Sequence, residues 1–118
     1  FRGVLDVQAS TITDTMCIAA AKELAACASE KRLNPEKILP VMDDREVYPR
    51  VAAATAMQAI TEGVARLKLD RETVYQTALQ KIKRAQEQTK LLMESGIIPV
   101  PKRWGKGRGI KGARKIGK

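Results

Sequence analysis

From Thr13 onward the apolar residues recur at helical spacing. Between Asp14 and Glu30, Met16, Ile18, Ala19, Ala20, Leu24, Ala25 and Ala28 surround the segment, which predicts a helix apolar on most sides. Thr13 precedes it as N-cap, and Asp14 sets a negative charge at the positive end of the helix. Lys31 and Arg32 suit the opposite end, and Asn34-Pro35 stop it. Ahead of this helix, FRGVLDVQAS reads as an extended lead-in with Val4, Leu5 and Val7 as its apolar positions. After it, KILPVM reads as a short extended connector. A second helix is predicted to start between Asp44 and Tyr48 and to end at Gly63, with Pro49 in the first turn, where its absent N–H is not missed. Ala53, Ala56, Met57, Ile60 and Val64 form one stripe, which Val51, Ala52 and Ala59 widen. A third helix opens at the N-cap Asp70 and runs to about Ser95, with Gly96 just past its end. It carries Val74, Tyr75, Ala78, Leu79, Ile82, Ala85 and Leu92 on one face and Lys81, Lys83, Arg84 and Gln88 on the other. IIPVP then ends the ordered structure.

Two helices that are apolar on most sides need more cover than one amphipathic helix supplies. The pattern therefore predicts missing partner surface, and the start at Phe1 leads to the same expectation of a piece cut from a longer chain. The 118 residues are enough for one domain. Sixteen alanines and 3% aromatics suit closely packed helices and argue against an aromatic-rich β-sandwich. No run approaches the roughly 18 apolar residues of a membrane span, and no basic-then-apolar signal segment opens the chain. With no His, a histidine acid/base and a histidine metal site are excluded. Cys17 and Cys27 lie ten residues apart on one predicted helix, about 15 Å along its axis. A disulfide needs Cα atoms within roughly 4.4–6.8 Å, so both are expected to be reduced, buried and inert, as suits the cytosol.

Charge divides the chain in two. Residues 1–101 hold 14 basic and 13 acidic side chains, whereas residues 102–118 hold eight basic and no acidic ones. The latter are Lys102, Arg103, Lys106, Arg108, Lys111, Arg114, Lys115 and Lys118, and five of the eight glycines share the stretch. Such a composition cannot bury enough apolar surface to fold, so 102–118 is expected to be a basic, Gly-rich disordered tail on a body of ordinary charge.

Little in the body promises chemistry. Asp43, Asp44 and Glu46 form an acidic cluster that would interest a divalent metal. Hard cations require six or more oxygen ligands in all, and the simpler reading is acids favouring a helix N-terminus. Tyr48 and Tyr75 read as packing residues, and Lys22 and Glu23 as the solvent-facing edge of the first main helix. GxGxxG, Walker-type Gly-Lys-Ser/Thr, GxSxG and CxxC motifs are all absent. The tail offers phosphate-binding charge, with Trp104 as a stacking residue. An alternative reading is thus a small basic helical nucleic-acid-binding protein acting through its tail. A third is a helical module that pairs with itself through its apolar faces.

Taken together, the words of the sequence resemble a known family. FRGVLDVQASTITDTMCIAAAKELA closely resembles the C-terminal part of the cofactor domain of malic enzymes. ILPVMDDREVYPRVAAATAMQAITEGVARL and RETVYQTALQKIKRAQEQTKLLMESGIIPVP are similar to its continuation and closing helix in the shorter bacterial and archaeal NAD-linked members. The resemblance covers residues 1–101 and implies the mostly α C-terminal portion of an α/β Rossmann-type domain: three main helices plus a short extended lead-in. It implies oxidative decarboxylation of malate to pyruvate and CO2 in the parent enzyme, with NAD(P) and Mg or Mn, in a cytoplasmic homo-oligomer. The residues that perform this in the family are expected upstream of Phe1, so the resemblance carries no catalytic or metal-binding residue onto this chain. Arg2 and Gly3 are the positions nearest the family's cleft, and both are expected to be structural, Gly3 through close backbone approach or an unusual φ. The piece alone is expected to be inactive and to need the remainder of a malic enzyme chain as its partner. Residues 102–118 depart from the family pattern.

Overall fold

The computed structural model describes residues 1–31, 33–36, 38–42 and 44–101. It contains four α-helices, α1 (Arg2–Asp6), α2 (Asp14–Glu30), α3 (Val47–Thr61) and α4 (Arg71–Glu94), and no strand among the described residues. The described residues form two compact units, Phe1–Ile82 and a second that begins at Lys83, with α4 running through the boundary.

The core of the first unit gathers around α3. Val4, Val7, Met16, Ala53, Ala56, Ala59 and Val74 are buried together, ringed by Ala9, Met57, Ile60, Val64, Ala65, Leu69 and Tyr75. Alanines on α3 let its neighbours come close. The nearest approach is at Gly3, where a built Cβ would lie 2.1 Å from the Ala52 carbonyl oxygen. The segment leaving α1 is then stitched to the turn beyond α3. Arg66 and Leu67 N–H donate to Val7 O at 3.1 and 3.0 Å, and Ser10 N–H donates to Val64 O at 2.9 Å.

The extended lead-in expected from the sequence is instead the short helix α1. Val4 and Val7, three residues apart, are both buried, whereas Leu5 is left 62% exposed. That is one face of a helical turn; an extended strand would send residues three apart to opposite faces and leave its backbone without a ladder. Arg2 and Asp6, one turn apart, pair across the helix. Five residues are too few to hold a helix in water, so contact with α3 supplies its stability.

The remaining helices begin and end where their capping residues stand. Thr13 Oγ1 accepts from Met16 N–H at 3.2 Å at the start of α2. α3 begins at Val47, inside the expected window, with Pro49 buried in its first turn. It closes on Gly63 at φ +74°, with Gly63 N–H to Ile60 O and Val64 N–H to Ala59 O both at 3.1 Å, the two bonds of a Schellman ending. Asp70 Oδ1 accepts from Thr73 N–H at 2.9 Å to cap α4.

The connector KILPVM, expected to be extended, lies in a stretch between α2 and α3 that holds no helix or strand among its described residues. A turn at its end is closed by Asp44 N–H to Val41 O at 3.0 Å.

In the second unit, the rest of α4 ends on Gly96 at φ +75°. Gly96 N–H donates to Met93 O at 3.1 Å and Ile97 N–H to Leu92 O at 3.0 Å. The expected apolar stripe of α4 does not persist to this end: Ala85 and Leu92 are exposed and Met93 is buried in their place. No described helix is long and apolar enough to cross a membrane.

Candidate functional site

Polar side chains of the first unit collect into three clusters between helices. In the first, Arg2 Nε donates to Asp6 Oδ2 at 2.9 Å and Lys81 Nζ donates to Asp6 Oδ1, also at 2.9 Å. The Asp6 side chain is only 4% exposed. Burial raises its pKa, but the hydrogen bonds and charges of Arg2 and Lys81 outweigh that and hold the carboxyl below its ordinary value. The guanidinium of Arg2 is thereby committed to fastening α1. Gly3 presents no cradle for a ligand, because the α3 backbone fills the place of its missing side chain.

The second cluster was not foreseen from the sequence. Arg50 on α3 donates through Nε to Glu23 at 2.7 Å and through Nη1 and Nη2 to the two oxygens of Glu30 at 2.6 and 2.9 Å. Arg71, the first residue of α4, reaches the other oxygen of Glu23 at 3.3 Å. Glu30 foremost, then Glu23, hold the Arg50 guanidinium above its ordinary value. Glu23, expected on a solvent-facing edge, is a half-buried junction of three helices because two arginines converge on it, whereas Lys22 is exposed as expected. The legible signal was the spacing: Glu23 and Glu30 stand seven residues apart, on one face of α2, opposite the lone charge within apolar α3.

In the third cluster, Glu62 near the end of α3 accepts from Thr13 Oγ1 at 2.6 Å, from Thr15 Oγ1 and from Gln58 Nε2 at 2.7 Å. These bonds lower its pKa, Thr13 first. They tie the start of α2 to the end of α3.

Of the acidic cluster, Asp44 pairs with Lys31 and accepts from Glu46 N–H at 3.4 Å, and Asp43 lies outside the described residues. Glu46 stands at the N-cap of α3 without a side-chain capping bond. Asp44 thus serves a lysine and a turn, not the helix end. Among the described residues no three Asp, Glu or Cys converge to hold a metal ion. Tyr48 Oη donates to Met42 O at 2.7 Å, and half-buried Tyr75 rests against the core. Both cysteines are free. Cys27 is buried, and burial foremost pushes its thiol pKa up. Cys17 is exposed, contrary to expectation, because so wide an apolar surface on α2 exceeds what α3 and its neighbours cover. A shallow apolar groove of about 460 Å3 lies between Ala25, Ala28 and Ser29 of α2 and Leu33, Asn34, Pro35 and Ile38. Tail residues 102–118, with Trp104, lie outside the described residues.

These clusters join helices to one another, and each carboxylate in them is matched to a cation, a hydroxyl or an amide. Such an arrangement holds shape; it offers no poised nucleophile and base among the described residues.

No family model matches the chain. It is 43% identical over 74 residues to a bifunctional malic/malolactic enzyme of Bacillus subtilis, covering 63% of this chain and 18% of that one. It is 41% identical over 66 residues to an NAD-dependent malic enzyme of Geobacillus stearothermophilus, covering 56% and 14%. Among solved structures, it matches a malic enzyme of Entamoeba histolytica with a TM-score of 0.80 at 43% identity, over 85% of this chain and 21% of that chain. It also matches a malic enzyme from Pyrococcus horikoshii with a TM-score of 0.68 at 43% identity, over 73% and 19%. The chain thus spans about a fifth or less of the proteins it matches.

Proposed function

We propose that this chain, whose matched residues carry malic-enzyme sequence and fold, is the C-terminal helical portion of a malic enzyme's cofactor domain and acts there as scaffold. The observation that supports this most is the Entamoeba match, because sequence identity and backbone agreement coincide over 85% of the chain. The parent reaction is oxidative decarboxylation of malate to pyruvate and CO2, with NAD(P) and Mg or Mn. NADP-linked and NAD-linked relatives both match, so the nucleotide is left at NAD(P). The portion's partner is the remainder of the malic enzyme chain, in a cytoplasmic homo-oligomer. Arg2 and Gly3, nearest the cleft by family pattern, act through packing: one fastens α1 to Asp6, the other lets α1 meet α3.

The scaffold role predicts that the purified chain, given malate, NAD or NADP and Mn2+, forms no reduced nucleotide. Malate-dependent NADH or NADPH production from these 118 residues would overturn it.

A further inference from the structure

Two acids of α2 lie on the side that meets α3, where Glu23 and Glu30 are both taken up by Arg50. On the outward side, Cys17, Ile18, Ala21 and Ala25 follow one another at helical spacing, all exposed and none charged. Ile18 is 51% exposed. A surface helix has the reverse arrangement, polar outward and apolar inward. Charge borders this face only at its start, in Asp14, and on its flank, in Lys22. From Cys17 to Ala25 the face runs for about 12 Å along the axis. Ala25 also helps to line the shallow apolar groove at its far end. Short side chains at Ala21 and Ala25 let a neighbouring backbone come near, as the alanines of α3 do for α1.

We infer, on the scaffold reading above, that the outward face of α2 from Cys17 to Ala25 is where the parent chain's residues preceding Phe1 seat an apolar segment. The Entamoeba match points to that source of cover. It takes in 85% of this chain but 21% of the other, so most of such an enzyme lies outside the matched part. The chemistry of the segment follows from the face itself. A charged group laid against Cys17, Ile18, Ala21 and Ala25 would lose its water and find no partner among them, so what meets them is apolar. Covering them withdraws apolar surface from water and leaves the Glu23–Arg50 junction, on the other side of α2, as it is.

Cys17 is a native probe set in this face, since its thiol is free and exposed. The parent enzyme, expressed from its whole reading frame, and the 118-residue chain are each treated with a maleimide, and the labelled peptides are weighed. Cys17 of the parent is expected to react at least about tenfold more slowly than Cys17 of the short chain. In the short chain its rate is expected to stay fast at every protein concentration. Equal rates in the two proteins would show the face free in the parent and overturn the inference. A Cys17 that slows as the short chain is concentrated would put a second copy on the face, and would overturn it too. Absence of a reading frame upstream of Phe1 is a separate result: it removes the scaffold reading, and this inference with it.

Discussion

At Gly3 the backbone of α1 lies so near that of α3 that no side chain fits, and the obstacle is a carbonyl oxygen, which cannot swing aside. Gly3→Ala should therefore cost about 2–3 kcal/mol in urea unfolding, whereas Leu5→Ala, at an exposed neighbour, should stay within about 0.5 kcal/mol. Equal effects at the two positions would mean that α1 is not seated on α3. Glu23 and Arg50 give a second check at this scale. Because Glu23 pairs directly with Arg50, its loss and that of Arg50 are not independent. A Glu23→Gln/Arg50→Met cycle should show a coupling of about 0.5–1 kcal/mol, the range for partly exposed pairs. The carboxylates themselves could be read from spacing, but their partners could not. A residue's partner on another helix depends on how the helices cross, which no local pattern records. Glu62 is the plainest case, since it takes hydroxyls from Thr13 and Thr15 almost fifty residues earlier.

Elements were legible where the chain carries punctuation. Thr13, Asp70, Gly63 and Gly96 each act at the helix end that their chemistry suggests, so three of the four helices fall within a few residues of the expected bounds. α1 has no such mark and too few residues for a period, and its form is imposed by α3. The connector KILPVM carries no helix mark either, and its apolar Ile38, Leu39, Val41 and Met42 are exposed. These ends can be tested singly. Gly63 has φ +74° and open space around it, so Gly63→Ala meets only backbone strain, about 1 kcal/mol. Thr13→Ala should cost a similar amount, about 1 kcal/mol, and should fray the first turn of α2 in particular, visible as faster exchange at Met16. If Gly63→Ala were neutral, the Schellman ending would not constrain α3.

For the molecule as a whole, acid should be the condition that loosens it. Asp6, Glu30, Asp44, Glu62 and Asp70 all titrate below their ordinary values of 3.8 and 4.5 in the folded chain. For Glu30 and Asp44 the leading causes are Arg50 and Lys31, and for Asp70 it is Thr73. Each is still ionised when the unfolded chain has taken up its proton. Unfolding therefore binds protons, and the stabilisation is present above about pH 4 and is lost as pH falls through the lowered folded values. Lys31, raised above 10.5 chiefly by Asp44, acts in the other direction, and its contribution fades only as pH rises past that value. Thermal unfolding between about pH 6 and pH 2 should show a falling midpoint below about pH 4; a midpoint insensitive to acid would contradict these pairings.

The apolar surface left uncovered on α2 and on the connector, together with matched relatives that are several times longer, leads to the central claim that this is scaffold from a larger enzyme. Determining the coding DNA upstream of the Phe1 codon tests that claim most directly. The account predicts an open frame continuing into a glycine-rich βαβ unit and metal-binding carboxylates. A start codon immediately before Phe1 would contradict it.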